Sequence, residues 1–192
     1  MRFNNGFFWN KLYRRDFIEK NHLRFGNERI QQDEVFNIKV YKCLNHLELI
    51  PGTYYHYYVY NTGNNRSRFI PDRYEIYKSV YEQFCELRDL WHLKDKHFDD
   101  YLNKRLFANL NDLLRHNLVH PKCTWSKEEQ MIELNRVMND RDFQDAIAFK
   151  EKNGLGIEDR LLLYAYRKRS IRLIKLMNCF FNNLRSVKHS IS

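Results

Sequence analysis

The chain has 192 residues, 43% of them hydrophobic and 16% aromatic, with a formal net charge of +9 and a pI near 9.4. That is enough apolar material for one domain with a real core, and the few prolines and glycines argue for long regular elements joined by short loops. Four widely spaced cysteines (Cys43, Cys85, Cys123, Cys179), without a C-x-x-C pair, argue against a disulfide framework and read as small apolar core residues in a reducing compartment. No N-terminal apolar run suits a signal peptide, and no window approaches the roughly 20 apolar residues of a spanning helix.

In chain order, residues 1–70 read as mixed α/β. Val35, Phe36, Val40, Leu44 and Leu47 fall at helical spacing, which predicts an amphipathic helix over roughly 32–45. Leu47 to Ile50 is a short apolar strand candidate, Pro51-Gly52 a turn, and Thr53 to Tyr60 a second strand rich in aromatic and β-branched residues. A polar loop from Asn61 to Arg68 follows.

From Pro71 the pattern becomes helical, and the change marks the expected boundary between a region 1–70 and a helical region 71–192. Tyr74, Tyr77, Tyr81, Phe84, Leu87 and Trp91 define one helix, and Phe98, Leu102, Leu106, Leu110, Leu113 and Leu114 a second. Ser126 with Glu129 is a capping-box signature for a third. Asn153-Gly154 and Gly156 precede a last helical stretch, about 158–185. Asp140-Arg141-Asp142 reads as a solvated helix junction. His92, His97, His116 and His120 show no metal-site spacing. Neither a G-x-x-x-x-G-K loop nor a G-x-G-x-x-G is present.

Trp9-Asn10-Lys11-Leu12-Tyr13-Arg14-Arg15, followed by Gln32-Asp33-Glu34-Val35-Phe36-Asn37, resembles the acceptor-side half of a family-two glycosyltransferase. In that family a Trp-Asn-Lys-Leu-Tyr stretch leads into a Glu-Asp pair opening a helix. Phe17-Ile18-Glu19-Lys20-Asn21 and Leu23-Arg24-Phe25 fit the linker between the two motifs. Tyr55-His56-Tyr57 resembles the Tyr-x-Tyr-Arg signature, with Tyr58 where Arg is common and Gln32 where Glu is usual. The resemblance covers residues 6–70, roughly a third of the chain.

The resemblance implies the C-terminal part of a GT-A-type nucleotide-diphospho-sugar transferase fold followed by a helical tail: α/β, mostly α. It implies transfer of a sugar from a nucleotide-sugar donor, with inversion, to a surface glycan or lipid-linked acceptor of the cell envelope. Asp33 takes the place of the catalytic base. A carboxylate at a helix N-terminus is kept ionised by the helix dipole, which suits that role. Trp9, Asn10, Lys11, Gln32, His56, Tyr57, Arg66 and Arg68 become the substrate-binding residues, the two arginines as replacements for the missing diphosphate contact. Tyr55 and Tyr57 also fit plain packing on alternate sides of a strand.

The family's nucleotide-binding half, with the Asp-x-Asp that holds Mg or Mn, precedes the Trp-Asn-Lys motif. Here Met1 lies almost on top of that motif, so the expectation is a truncated chain that lacks its metal ligands and does not turn over alone. The final stretch (Arg167, Lys168, Arg169, Arg172, Lys175, Arg185, Lys188, interleaved with Leu173, Ile174, Met177, Phe180, Phe181 and Leu184) is a basic amphipathic helix. It suits either an anionic membrane surface or core packing with a charged outer face. A non-catalytic helical module binding such a membrane is the alternative reading, with the chain expected in the cytoplasm or on the inner face of the cell membrane. Nucleic-acid binding, prompted by the charge, lacks a module signature and ranks last.

Overall fold

Periodic apolar residues after Pro71 and strong helix starts give a mostly helical molecule. A computed structural model describes residues 6–52, 54–56, 58 and 68–191, and side chains as far as residue 184. Its helices are α1 (Arg15–Lys20), α2 (Gln32–Cys43), α3 (Arg73–Leu90), α4 (Lys96–Asn111), α5 (Lys127–Asn139), α6 (Arg141–Lys152), α7 (Ile157–Arg167) and α8 (Ile171–Ile191). A π-helical turn, Asp112–Asn117, continues α4. The chain divides into two compact units, residues 1–62 with 75–95, and residues 63–74 with 96–192.

In the first unit, Leu23, Phe36 and Val40 form a small core against Tyr13, Phe17, Ile18 and Cys43. Phe25 stacks on Phe36 with ring centroids 4.4 Å apart, and Tyr13 meets Phe36 edge-on at 5.5 Å. Tyr77, Val80, Phe84 and Leu87 of α3 are buried at helical spacing, and Lys42 of α2 pairs with Glu86 of α3.

In the second unit, α4 packs on α6, α5 on α6 and α7, and α8 on α7 and the π turn. Local chemistry starts these helices. Ser126 Oγ accepts the Glu129 N–H (3.1 Å) while the Glu129 carboxylate accepts the Ser126 N–H (2.6 Å), the capping box expected from the sequence. Asp140 ends α5 and caps α6, its Oδ1 accepting the N–H groups of Asp142 and Phe143. Trp125 meets Phe69 edge-on, centroids 4.9 Å apart.

The π turn is tied down on both sides. Asp112 pairs with buried Arg73, whose other guanidinium nitrogen donates to the Arg68 carbonyl. Buried Arg115 donates to Glu158 of α7 (2.7 Å) and to Asn178 of α8 (3.3 Å), and Asn178 returns a bond to the Arg115 carbonyl (2.9 Å).

Three sequence expectations need correction. No described residue lies in a β-strand, so the described part has neither the α/β character nor the GT-A-type fold portion expected of residues 1–70. Leu47 to Ile50 is irregular and exposed, Leu49 at 82%, and residues 54–56 and 58 of the second expected strand are likewise irregular and exposed. A strand needs a partner's hydrogen bonds, and none of the described residues provides them there. Secondly, the last helical stretch is two helices. Arg169 takes a left-handed conformation (φ 50°) after α7, and its guanidinium is held by the Leu134 carbonyl (3.0 Å) and Asn139 (2.7 Å). Thirdly, Cys179 is exposed rather than core, while Cys43, Cys85 and Cys123 are half-buried; all four are free thiols.

Candidate functional site

The site grows from the start of α2. Gln31 precedes that helix in a left-handed conformation (φ 61°) and gives no side-chain cap. The acidic first turn, Asp33 and Glu34, therefore faces the positive end of the helix dipole without a competing cap. Asp33 is half-buried and accepts the backbone N–H of Phe8. Burial pushes its carboxyl above the usual range, while the Phe8 N–H and the Lys11 ammonium pull the other way. Burial likewise lowers Lys11, and the Asp33 charge opposes that shift. The two groups form an electrostatically coupled pair.

Lys11 is held in place. Its Nζ donates to the Phe7 carbonyl (2.6 Å) and to Asn10 Oδ1 (2.7 Å). Trp9 stacks with Phe7 (centroids 4.6 Å, planes 24° apart) and with Tyr55 (4.5 Å, 25°). Tyr55 itself remains 49% exposed. One helical turn beyond Asp33, Asn37 is fully buried. It accepts the Tyr13 hydroxyl (2.6 Å) and donates to the Gly6 carbonyl (3.2 Å). Burial first, with the charges of Tyr41 and Asp33 adding to it, raises the Tyr13 hydroxyl above its ordinary pKa.

Trp9, Asn10, Lys11 and Asp33 are thus brought into one place, although 21 residues of chain separate Lys11 from Asp33. Gln32 points elsewhere: exposed, it donates to the Glu28 carbonyl (2.5 Å). His56 is exposed. Arg68 is exposed too and belongs to the second unit, where its carbonyl serves Arg73. Tyr57 and Arg66 lie outside the described residues. A cleft in the first unit, lined by Glu28, Val35, Glu75, Ile76, Ser79, Val80 and Gln83, includes Gln32's neighbours but none of the expected substrate-binding residues.

The sequence motif contains Tyr13 and Asn37 but gives them no site role, and it does not single out Phe7 or Phe8. Asn37 could have been found: an amide at an apolar position of α2, four residues after Asp33, needs a polar partner on that face. Phe8 could not, since it acts through its backbone.

No protein-family model, curated protein or solved structure matches this chain.

The described residues do not fit the divalent metal that the resemblance implies. Among them, no group of three or more His, Cys, Asp or Glu side chains could hold a metal ion. The Asp-x-Asp at 140–142 is committed to structure, for Asp140 caps α6 and its Oδ2 accepts the Tyr74 hydroxyl (2.7 Å). What the Asp33 arrangement can do by itself is accept a proton: a half-buried carboxylate, made more basic by burial, beside an ammonium and an aromatic stack.

Proposed function

We propose that this chain carries the acceptor side of a family-two glycosyltransferase, with Asp33 as the base. The observation that carries the proposal is the meeting of Asp33 with Lys11, next to the Trp9–Tyr55 stack, at the N-terminal end of α2. The carboxylate takes the proton from the acceptor hydroxyl as that oxygen attacks the donor's anomeric carbon. Burial raises its basicity, and Lys11 keeps it charged at neutral pH. Lys11, fixed by Phe7 and Asn10, sets the positive charge beside the acceptor hydroxyl.

Tyr55 supplies the sugar platform. The weakly positive C–H face of a pyranose suits the negative face of an aromatic ring, and the stack beneath Tyr55 holds that ring in place. This assigns to Tyr55 the acceptor contact expected of its neighbours His56 and Tyr57. The nucleotide, its metal and the diphosphate belong, on this reading, to a donor half separate from the Asp33 site, and the acceptor is a surface glycan or lipid-linked sugar.

The test is a titration of the 15N-labelled chain with a panel of oligosaccharides, following the three indole N–H signals. The Trp9 signal is expected to move and those of Trp91 and Trp125 to stay. Tyr55→Ala is expected to weaken binding at least tenfold, while Asp33→Asn keeps binding. A Trp9 signal indifferent to every glycan in the panel overturns the reading.

A further inference from the structure

We infer that α8, with α7 beside it, is a docking surface for an anionic lipid bilayer, lying in the plane of the interface. The inference stands on the second unit alone and is independent of the Asp33 site.

Every charged residue from 160 to 192 is an arginine or a lysine, eight in all, while the rest of the chain mixes both signs. α8 is anchored through one face, where Ile174 and Phe181 are buried seven residues apart. Away from that face, Leu176, Phe180 and Leu184 recur every fourth residue and are 65%, 52% and 46% exposed. Single exposed apolar residues need no explanation; three at i, i+4 and i+8 make a stripe, and a stripe on a helix has a use. Arg172 and Lys175, both exposed, fall on the flank of that stripe. The adjoining α7 also carries exposed apolar residues at helical spacing, Leu161 and Tyr164 among them.

Three basic residues of this region are already engaged, Arg167 with Glu151, Lys168 over the Tyr164 ring, and Arg169 with Leu134 and Asn139. They fix the α7–α8 turn and leave the outer cations to an external partner.

The chemistry selects a bilayer over other anionic partners. A nucleic acid would use the cations but give the Leu176–Phe180–Leu184 stripe no apolar phase. A second copy of the chain would bury the stripe but set like charges against each other. An anionic bilayer satisfies both, with phosphates for Arg172 and Lys175 and acyl chains for Phe180. None of the described helices is long and apolar enough to cross a membrane, so the helix lies on the surface.

Co-sedimentation of the full chain with large unilamellar vesicles tests this. Vesicles of phosphatidylcholine with a third phosphatidylglycerol are expected to bind, and vesicles of phosphatidylcholine alone to bind at least tenfold more weakly. Phe180→Ser with Leu176→Ser is expected to cut anionic binding tenfold or more. Arg172→Gln with Lys175→Gln should weaken it by on the order of fivefold per charge at low salt. A tryptophan introduced as Phe180→Trp is expected to be quenched by brominated lipid in the otherwise intact chain. That readout stands even if the serine variant fails to fold.

Equal binding to neutral vesicles, or none to either, overturns the inference. So does a single-stranded oligonucleotide that displaces the vesicles while the serine variant binds as wild type does, since the ligand is then an anionic polymer. A dimer in sedimentation that Phe180→Ser dissolves, without lipid quenching at position 180, assigns the stripe to a second copy and overturns it too.

Discussion

Asn117 pairs its side-chain amide with both backbone polar groups of Ile70, donating to the carbonyl and accepting the N–H, each at 2.9 Å. The contact spans 47 residues of sequence and is buried. It does for Ile70 what a neighbouring strand would do, and it comes from the last residue of the π turn. Asn117→Ala leaves a buried N–H and a buried C=O unpaired. The expected loss is about 2–4 kcal/mol, read from the urea midpoint at unchanged slope. Asn117→Asp keeps the acceptor but turns a carboxylate toward the Ile70 carbonyl, and should be no better at neutral pH.

Arg115 is the second fixed point of the same turn. Its guanidinium is buried and rests on Glu158 and Asn178. Removing the acid alone strands a buried cation, so Glu158→Gln should cost about 1.5–3 kcal/mol. Arg115→Met together with Glu158→Gln should cost less than the sum of the single changes. A double-mutant cycle by chemical denaturation measures the difference.

The Asp33 carboxyl has a signature in pH. Its folded-state pKa lies above the ordinary 3.8, so the folded state holds the proton more tightly than the unfolded chain. Its contribution therefore favours folding below about pH 3.8 and is lost as pH rises through the raised value. The stability of the wild type minus that of Asp33→Asn should fall across that window and level off above it. Lys11 stays charged throughout and adds only a constant. Lys11→Met removes one of the groups holding the pKa down, and should raise the Asp33 carboxyl titration further by 13C NMR.

Among the described residues, three helices end with a non-glycine residue in the left-handed region: His22 after α1, His92 after α3 and Arg169 after α7. In each the next residue's N–H reaches back to close the turn, as Leu93 does to Arg88 (2.9 Å). His92→Gly should therefore gain about 0.5–1 kcal/mol, since glycine adopts that conformation without the Cβ penalty. Arg169→Gly has the same backbone but forfeits the bonds to Leu134 and Asn139. It should lose stability, and thermal melts of the two variants should move in opposite directions.

That contrast also marks what was legible in the sequence. Where structure is local, it could be read. Helix α2, expected over 32–45, runs Gln32–Cys43, and the capping box at Ser126 and the junction at Asp140 stand where the spacing put them. Where a distant partner decides, it could not. The α7–α8 break has neither glycine nor proline, only an arginine fixed by residues 30 and 35 positions earlier. The π turn has no periodic signature either, because Ile70 and Glu158 hold it from outside. Leu47 to Ile50 looks like a strand by composition, yet composition says nothing about whether a partner is present. At the candidate site, Asp33 and Lys11 were visible as a motif; the Phe8 N–H and the Tyr55 stack depend on the path of the backbone.

The edge-on packing of Trp125 on Phe69 has a practical consequence. Only three tryptophans are present, and the other two, Trp9 and Trp91, belong to the first compact unit. A chain in which both of those become phenylalanine keeps a single fluorophore, seated in the second unit. Its emission would follow the melting of that unit in isolation, and comparison with the parent spectrum would reveal whether the two units unfold as one body or in succession.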